Sequence, residues 1–434
     1  MIKHLKMSNV GPAPAMELEF GDRLNLLTGD NGLGKSFLLD IAWWAMTRIW
    51  PAELNTNLTS GRVALPTEKK QKSEISYSFS AFSTNTKPHT STYEPEIQSW
   101  SAPSWPAPKG RPPNPGLVFY ALADGSFAVW DPARNYWTAQ TGNGERPVAY
   151  VFSPKEVWDG LQRKDGSWLC NGLIRDWAGW QKEKGQAFQS LKDVLEVLSP
   201  STEEKITPGE LTRISLDDVR DMPTLKMPYG QDVAVVHASA GMRRIISLAY
   251  FLVWCWEEHV KAKKLQGDED EPEKGVVFLV DEVEAHLHPK WQRMVIPSLL
   301  KVMETLTESV PVQLIVATHS PLVMASVETL FDNEKDAWFD LDLKDNEVVL
   351  TPRPFVRQGN VAHWLTSAAF DLESAYGSDE IKKVLEEASF ALSNENFSKE
   401  EAKKLDKRLR KVLSSTDPLW ARWRFEGEKR GWLR

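Results

Sequence analysis

The sequence predicts an α/β fold organised around a mostly parallel β-sheet. Two continuous apolar runs, VVFLV at residues 276–280 and VQLIVAT at residues 312–318, are typical of strands buried on both faces of such a sheet. Near the start of the chain, the apolar run LNLLT leads into the glycine-rich stretch GDNGLGKS. Apolar residues at helical spacing follow it. This order of strand, loop and helix also favours the α/β class.

Composition indicates a globular protein with a sizeable core. The chain has 434 residues, of which 41% are hydrophobic and 26% charged, and its net charge is −8. Two cysteines cannot form a disulfide framework. The N-terminus lacks the apolar core of a signal peptide, and the longest apolar run, IISLAYFLVWCW, is too short to span a bilayer. We therefore expect a cytoplasmic protein that does not bind membranes.

The other elements follow from local patterning. MIKHLKMSN and MELEF predict short strands, and residues 117–131 predict a hairpin that turns at Asp124-Gly125. Residues 82–115, rich in Ser, Thr and Pro, predict an extended stretch rather than a packed element. Residues 155–198 predict tryptophan-rich helices, and two amphipathic helices are expected near the C-terminus.

The glycine-rich stretch predicts a phosphate-binding loop of the form G-x-x-x-x-G-K-[ST]. Its glycines let backbone N–H groups turn inward around phosphate oxygens, and the helix that follows adds its positive dipole end. In this pattern Lys35 reaches the β- and γ-phosphates of a nucleotide, and the Ser36 hydroxyl binds Mg²⁺. The predicted nucleotide-binding residues are Gly29, Asp30, Asn31, Gly32, Leu33, Gly34, Lys35, Ser36 and Phe37.

A phosphate loop that supports hydrolysis also needs a carboxylate for the metal and a residue that orients water. Asp281 ends the predicted strand VVFLV and is placed to hold Mg²⁺, and Glu282 follows it as a general base. His319 comes directly after the next buried strand, at the edge where α/β sheets keep their chemistry. We predict that His319 senses the γ-phosphate.

A second anion site is predicted at HASAGMRRIISLAY, where a small-residue turn opens an apolar helix. Ser239 and Gly241 lie in this turn, whose backbone N–H groups and Ser239 hydroxyl could bind an anion. The site lies some 200 residues after a loop that already supplies one phosphate cradle. We therefore expect it to serve the nucleotide of another subunit.

Together these segments resemble the ABC-type ATPase heads of the SMC and OLD-nuclease kind. GDNGLGKS resembles Walker A, ASAGMRR the ABC signature, VVFLVDE Walker B, EAHLHP the D-loop and THS the switch histidine. The resemblance covers roughly residues 1–353. It implies that two heads sandwich two ATP molecules, each signature capping the nucleotide of the other head, with His286 facing the partner's nucleotide.

Within that family, the amino-acid sequence of the signature helix and D-loop resembles that of compact bacterial anti-phage ATPases such as the Septu type. That resemblance implies an ATP-driven switch that controls a separate nuclease or toxin. Two departures qualify the family pattern: no long coiled coil separates the lobes, and Met242 replaces the usual acidic residue of the signature. The Q-loop glutamine is not placed, with Gln140, Gln162 and Gln181 as candidates.

Several motifs carry competing interpretations. Asp340 and Asp342 could form a nuclease site, but their alternation in WFDLDLKDNEVVL favours the solvent face of a hairpin. His286 and His288 could hold a metal, but a D-loop role is preferred because no third ligand stands near them. Tryptophans and arginines alternate in PLWARWRFEGEK, which favours a protein interface over base stacking.

The predicted organisation has four parts. Residues 1–60 carry the phosphate loop and residues 61–235 form an insertion. Residues 236–353 carry the signature, Walker B, D-loop and histidine, and residues 354–434 form a helical tail. Residues 399–434 hold 12 Lys or Arg against 6 Asp or Glu, a net charge of +6. Besides the ATPase switch, we therefore keep a second hypothesis, a nucleic-acid clamp or repair-type ATPase in which ATP stabilises binding.

Overall fold

A computed structural model describes residues 1–80, 88–101, 114–135, 147–268, 274–307, 310–394 and 396–432. These residues divide into two compact units, Met1–Gly359 and Asn360–Arg434. No helix among the described residues is long and apolar enough to cross a membrane.

The strands are as follows in chain order: β1 Ile2–Val10, β2 Ala13–Glu19, β3 Leu24–Gly29, β4 Glu74–Phe79, β5 His89–Glu94, β6 Ser99–Trp100, β7 Leu117–Ala121, β8 Phe127–Trp130, β9 Tyr150–Phe152, β10 Leu161–Gln162, β11 Trp168–Cys170, β12 Thr207–Pro208, β13 Thr224–Lys226, β14 Asp232–Ala234, β15 Val276–Val280, β16 Val312–Ala317, β17 Ala337–Lys344 and β18 Glu347–Pro352. The helices are α1 Lys35–Thr47, α2 Pro51–Leu54, α3 Pro154–Asp159, α4 Leu173–Glu183, α5 Gln186–Val197, α6 Ala240–Gln266, α7 Pro289–Gln292, α8 Val295–Thr307, α9 Pro321–Ser326, α10 Val361–Leu365, α11 Asp379–Ser393, α12 Lys399–Val412 and α13 Leu419–Lys429.

An eight-stranded sheet forms the centre of the first unit, in the order β18-β17-β3-β16-β15-β7-β8-β9. The strands β17, β3, β16, β15 and β7 are parallel, whereas β18, β8 and β9 pair antiparallel to their neighbours. The described residues of β15 are all buried, as the continuous apolar run predicted. The α/β class is therefore confirmed, as is the β7–β8 hairpin.

Helices cover both faces of this sheet. α1 packs against β3, β7, β15 and β16, where Trp43 meets Tyr120. On the opposite face, Phe251 of the long helix α6 stacks on Phe127 with ring centroids 4.3 Å apart and contacts Phe119 edge-on. Alternate residues of β7 thus face different helices, which explains why the strand is apolar throughout.

A second sheet, in the order β2-β1-β4-β5-β6, packs its buried side chains into the same core as α1. The prediction that residues 82–115 contain no packed element is wrong for their described part. β5 pairs with β4, and Trp100 on β6 is 6% exposed. The indole of Trp100 also donates to the Ala64 carbonyl oxygen at 3.0 Å.

The expectation of tryptophan-rich helices over residues 155–198 holds only in part. The short hairpin β10–β11 separates α3 from α4, and it turns at residues 163–167, where the Gly166 N–H donates to the Arg163 carbonyl oxygen at 3.0 Å. The three strands β12, β13 and β14 then lead into the turn that opens α6.

The β17–β18 hairpin is confirmed, with Asp345 and Asn346 both at positive φ in its turn. The prediction that Asp340 lies on the solvent face is wrong. Asp340 is 2% exposed, and its carboxylate accepts hydrogen bonds from Thr28 and Arg353. Asp342 is partly exposed, 3.6 Å from the Lys344 ammonium.

The second unit is a helical domain with its own core. The buried residues of α11 and α12 include the predicted faces: Val384, Ala388, Ala402, Leu405 and Leu409. The interface interpretation of the tail tryptophans is wrong, because Trp420 and Trp423 fill this core at 7% and 0% exposure. The Trp423 indole also donates to Asp406 at 3.1 Å.

Candidate functional site

The glycine-rich loop joins β3 to α1 in a conformation that only glycine adopts readily. Gly29, Gly32 and Gly34 have φ values of 127°, 80° and 105°. A Cβ on Gly29 would lie 2.1 Å from the Leu341 carbonyl oxygen, and one on Gly34 would lie 2.8 Å from Pro12. A Cβ on Gly32 would have no neighbour within 4 Å, so the tip of the loop is open.

The side chains of the loop divide between the core and the surface. Leu33 is buried in the core, and the Phe37 ring lies on Gly11 of the β1–β2 turn. These two residues can offer only backbone groups to a ligand. Asp30 and Asn31 are exposed at the mouth of the loop.

Lys35 lies inside the loop rather than in solvent. Its ammonium donates to the carbonyl oxygens of Gly29 at 2.7 Å and Asp30 at 2.8 Å, and the residue is 4% exposed. Burial lowers the pKa of Lys35 to about 8, although nearby carboxylates oppose this shift. The loop therefore holds a cation at its centre that a phosphate could bind.

Asp281 follows β15 and is 2% exposed. Its backbone N–H donates to the Ala121 carbonyl oxygen at 2.9 Å, which ties it to the end of β7. Burial raises the pKa of Asp281 to about 6, and a hydrogen bond from the Ser36 side chain opposes that shift. The structure thus brings together the two side chains predicted to hold Mg²⁺.

Glu282 takes a left-handed backbone conformation, with φ of 46°. Such a conformation is unfavourable for a residue with a side chain and concentrates at functional sites. Asp281 and Glu282 both lie just beyond the end of β15, so the two carboxylates need not alternate across the sheet as successive strand residues do.

His319 follows β16, the strand between β3 and β15. Burial and the neighbouring Lys35 ammonium lower the pKa of His319, while a hydrogen bond with the Gly29 backbone opposes that shift. The predicted histidine therefore reaches the first residue of the glycine-rich loop.

The signature turn opens α6. The Ser239 hydroxyl caps this helix by accepting from the Met242 N–H at 3.3 Å. A Cβ on Gly241 would lie 2.7 Å from the His286 carbonyl oxygen, so the signature and D-loop segments are in contact. His286 has φ of 63°.

A cleft of about 520 Å³ lies beside the signature turn. Ala240, Arg243, Arg244 and His286 contribute to its lining, together with the β7–β8 turn and α3. No residue of the glycine-rich loop lines it, and all residues of that loop belong to the described part of the chain. The glycine-rich loop therefore does not contribute to the cleft beside the first turn of α6.

Residues 24–325 match the family described as "AAA domain, putative AbiEii toxin, Type IV TA system". The chain belongs to this AAA domain family. The match spans about 70% of the chain and contains the loop, Asp281, Glu282 and His319.

Two curated relatives match part of the chain. The Retron Ec83 probable ATPase of Escherichia coli is 28% identical over 156 residues, which are 36% of this chain and 26% of that protein. The Retron Vc95 probable ATPase of Vibrio cholerae is 27% identical over 149 residues, 33% of this chain and 26% of that protein. The matched segment thus spans about a quarter of the length of these relatives.

Solved structures give weaker similarity. The SMC head domain from Thermotoga maritima is 13% identical with a TM-score of 0.38, covering 82% of this chain and 99% of that chain. The recombination mediator protein RecF is 13% identical with a TM-score of 0.36, covering 81% of this chain and 98% of that chain. The resemblance to Septu-type ATPases stays a prediction.

Two carboxylates of the AAA domain escaped sequence analysis, the half-buried Glu284 and the buried Asp40. Glu284 accepts from the Thr318 hydroxyl at 2.7 Å and from the His319 backbone N–H, so it binds the histidine loop to the end of β15. Asp40 on α1 accepts from the Tyr120 hydroxyl at 2.8 Å, and burial raises its pKa to about 7. Asp40 follows Ser36 by one helical turn, which is the one signal that could have pointed to it.

Neither of the two described candidates for the Q-loop glutamine lies at this site. Gln181 lies on α4, where its amide accepts from the Trp177 indole at 3.1 Å and donates to the Gly209 carbonyl oxygen at 2.8 Å. Gln162 lies exposed on β10, and Gln140 is outside the described residues. The end of β7, which borders Asp281, continues instead as Leu122-Ala123-Asp124.

Proposed function

We propose that the AAA domain binds Mg·ATP at the glycine-rich loop and hydrolyses it to ADP and phosphate. One observation carries this proposal: the loop, His319 and Asp281 with Glu282 follow the adjacent parallel strands β3, β16 and β15. The carboxyl ends of adjacent parallel strands lie at one edge of the sheet, which is where α/β proteins bind ligands. Groups far apart in sequence thus meet around one phosphate cradle.

The residues present fit a magnesium ion. The buried Oδ1 of Asp281 accepts no hydrogen bond from the described residues, and the Ser36 hydroxyl lies at the same carboxylate. Few protein ligands are needed, because Mg²⁺ at such sites takes most of its ligands from phosphate and water. When bound, the ion supplies positive charge that stabilises the developing charge on the phosphate oxygens.

The side chains of the site have separate roles in this proposal. The Lys35 ammonium exchanges the carbonyl oxygens of Gly29 and Asp30 for phosphate oxygens. Glu282 orients the attacking water and accepts its proton at the carboxylate. The imidazole of His319, which already interacts with the Gly29 backbone, senses the terminal phosphate.

Two copies of the chain would complete each site. Ser239 and Gly241 lie at the start of a 27-residue helix, whose N-terminus favours anions. The cleft beside this turn contains none of the phosphate-loop residues of the same chain. We therefore propose that the signature turn and His286 contact the nucleotide bound by a second copy, in a dimer of heads.

The dimer would act as a switch in anti-phage defence. ATP binding closes it and hydrolysis opens it, and this motion controls a separate effector, such as a nuclease or toxin. The support is indirect: the curated relatives are named as retron ATPases, and the family description includes a toxin system.

Molar mass in solution tests the dimer. Glu282→Gln should bind Mg·ATP without hydrolysing it and should shift from its starting mass to twice that value. Ser239→Arg in the same background should bind the nucleotide but stay at the starting mass, because a bulky cation blocks the cap. An unchanged mass of Glu282→Gln, with nucleotide bound, would show that ATP does not drive dimer formation.

The second candidate is the nucleic-acid clamp, and it is favoured by the exposed basic residues of α12. Lys403, Lys404, Lys407 and Lys411 are exposed on α12 and have no ion-pair partner in the described chain. If the clamp hypothesis is right, ATP should tighten binding of an oligonucleotide, and Glu282→Gln should keep the biological activity. Replacing these lysines should then weaken binding and reduce its salt dependence.

A further inference from the structure

A buried polar cluster lies directly behind the glycine-rich loop. It consists of Thr28, the last residue before Gly29, together with Trp338, Asp340 and Arg353 from the β17–β18 hairpin. Thr28 is 0% exposed and Asp340 is 2% exposed. Burying a polar group costs free energy unless the group is hydrogen-bonded. A cluster in which the buried polar groups are all paired, directly behind the loop, therefore calls for a functional explanation.

Each polar atom of Thr28 and Asp340 has a partner. The Thr28 hydroxyl donates to Asp340 Oδ1 at 2.7 Å and accepts from the Trp338 indole N–H at 2.8 Å. Asp340 Oδ2 accepts from Arg353 Nη2 at 3.0 Å and Nε at 3.3 Å. The Thr28 hydroxyl therefore cannot rotate without breaking two hydrogen bonds.

The cluster is continuous with the backbone of the loop. In the parallel pairing of β17 with β3, Asp340 lies opposite Thr28 and Leu341 lies opposite Gly29. The Leu341 carbonyl oxygen packs so closely on Gly29 that no side chain would fit between them. The carbonyl oxygen of Gly29 itself accepts a hydrogen bond from the Lys35 ammonium at 2.7 Å. The position of β17 thus determines where the loop begins and where its lysine is held.

We propose that Thr28 and Asp340 are positioning residues for the nucleotide-binding loop. Through them the β17–β18 hairpin holds Gly29 in the conformation that binds phosphate. Asp340 then has a role in ATP binding and none in nuclease chemistry. The inference rests on the proposed function, because it assumes that the loop binds ATP.

Equilibrium binding of a fluorescent ATP analogue to the full chain tests this inference. Thr28→Val keeps the shape of the side chain but removes its hydroxyl, and it should raise the dissociation constant at least tenfold. Thr28→Ser keeps the hydroxyl and should stay within threefold of the original chain. Asp342→Asn is the matched control, because Asp342 lies two residues along the same strand and outside the cluster.

Turnover and spectroscopy separate positioning from a general loss of stability. Glu282 follows β15 and should be unaffected, so kcat at saturating ATP should change less than threefold while KM follows the dissociation constant. In protein labelled with 5-fluorotryptophan, the Trp338 resonance is identified by its loss in Trp338→Phe. That resonance should shift when ADP is added to the original chain, and the shift should be lost in Thr28→Val.

The outcomes are distinct. If the original chain does not bind the analogue, the proposed function fails and this inference fails with it. If the original chain binds but Thr28→Val binds equally well, the inference alone is wrong, even if the variant melts at a lower temperature. Should Thr28→Val not fold, Trp338→Phe removes a single donor from the same hydroxyl and must raise the dissociation constant by itself.

Discussion

The affinity for ATP should fall as the pH rises above 8, because Lys35 must be charged to bind phosphate. In the free protein, burial lowers the pKa of Lys35 to about 8. In the complex, the negative phosphates favour the ammonium and return its pKa to its ordinary value of 10.5 or above. At a pH between these two pKa values, Lys35 of the free protein must take up a proton when ATP binds. The affinity for ATP therefore falls as the pH rises.

The size of the effect follows from the charged fraction of Lys35. With a pKa of about 8, roughly three quarters of the free lysine is charged at pH 7.5 and roughly 3% at pH 9.5. The dissociation constant for ATP should therefore rise roughly 25-fold across this interval. The phosphates do not contribute, because their second pKa lies near 6.

Titration with a fluorescent ATP analogue from pH 7.5 to 9.5 measures this change. Calorimetry at pH 9 in two buffers of different ionisation enthalpy should show uptake of roughly 0.9 proton per nucleotide, the uncharged fraction of Lys35. Lys35→Arg is the control, because arginine stays charged and should give a flat profile, however weak its binding. A dissociation constant independent of pH in the original chain, without proton uptake, would refute the assignment of Lys35 as the phosphate-binding cation.

Two further predictions concern packing. Trp423→Ala should lower the stability of the helical unit by about 3–5 kcal/mol, because a fully buried tryptophan is removed, whereas Phe425→Ala, at a 66% exposed position, should change it by less than about 0.5 kcal/mol. Hydrogen exchange of α11–α13 in the full chain measures both, and equal protection in the two variants would contradict the assignment of Trp423 to the core. Gly29→Ala should lower both the melting temperature and ATP affinity, since its Cβ would lie 2.1 Å from the Leu341 carbonyl oxygen, whereas Gly32→Ala has free space and should cost only about 1 kcal/mol of backbone strain.

Sequence patterning was informative for side chains that directly follow a buried strand, because the end of the strand determines their position. The runs VVFLV and VQLIVAT are apolar on both faces, which predicted parallel neighbours, and β15 and β16 do pair in parallel. Residues that follow such strands must share one edge of the sheet. For this reason Asp281, Glu282 and His319 could be grouped with the glycine-rich loop although more than 240 residues separate Asp281 from Lys35.

Patterning failed where a distant partner decides burial. Asp340 alternates with apolar residues, as on a strand with one wet face, yet Thr28 and Arg353 pair its carboxylate inside the protein. Nothing local to WFDLDL shows that β3 lies beside it. The strands β5 and β6 were missed because HTSTYE lacks apolar alternation, and only pairing with β4 makes it a strand.

The tryptophans of the C-terminal helix were also mispredicted, for a different reason. Alternating tryptophans and arginines in PLWARWRF resemble an interface, since both residue types are enriched there. A helical unit of this size, however, must fill its own core, and Trp423 at 0% exposure does so. The arginines of the same helix stay at the surface, so the alternation reflects the two faces of α13 rather than a binding motif.

The position of β3 has a consequence for biosynthesis. This strand pairs with β16 and β17, and the bond between Thr28 and Asp340 joins residues 312 positions apart. At a ribosomal rate of about 5–20 residues per second, roughly 15–60 seconds pass between the synthesis of the two partners. The apolar strand gains its first neighbour when β16 is made and its second with β17, so until then the start of the phosphate loop is not held from both sides. We therefore expect a newly made chain to bind ATP only after β17 has left the ribosome.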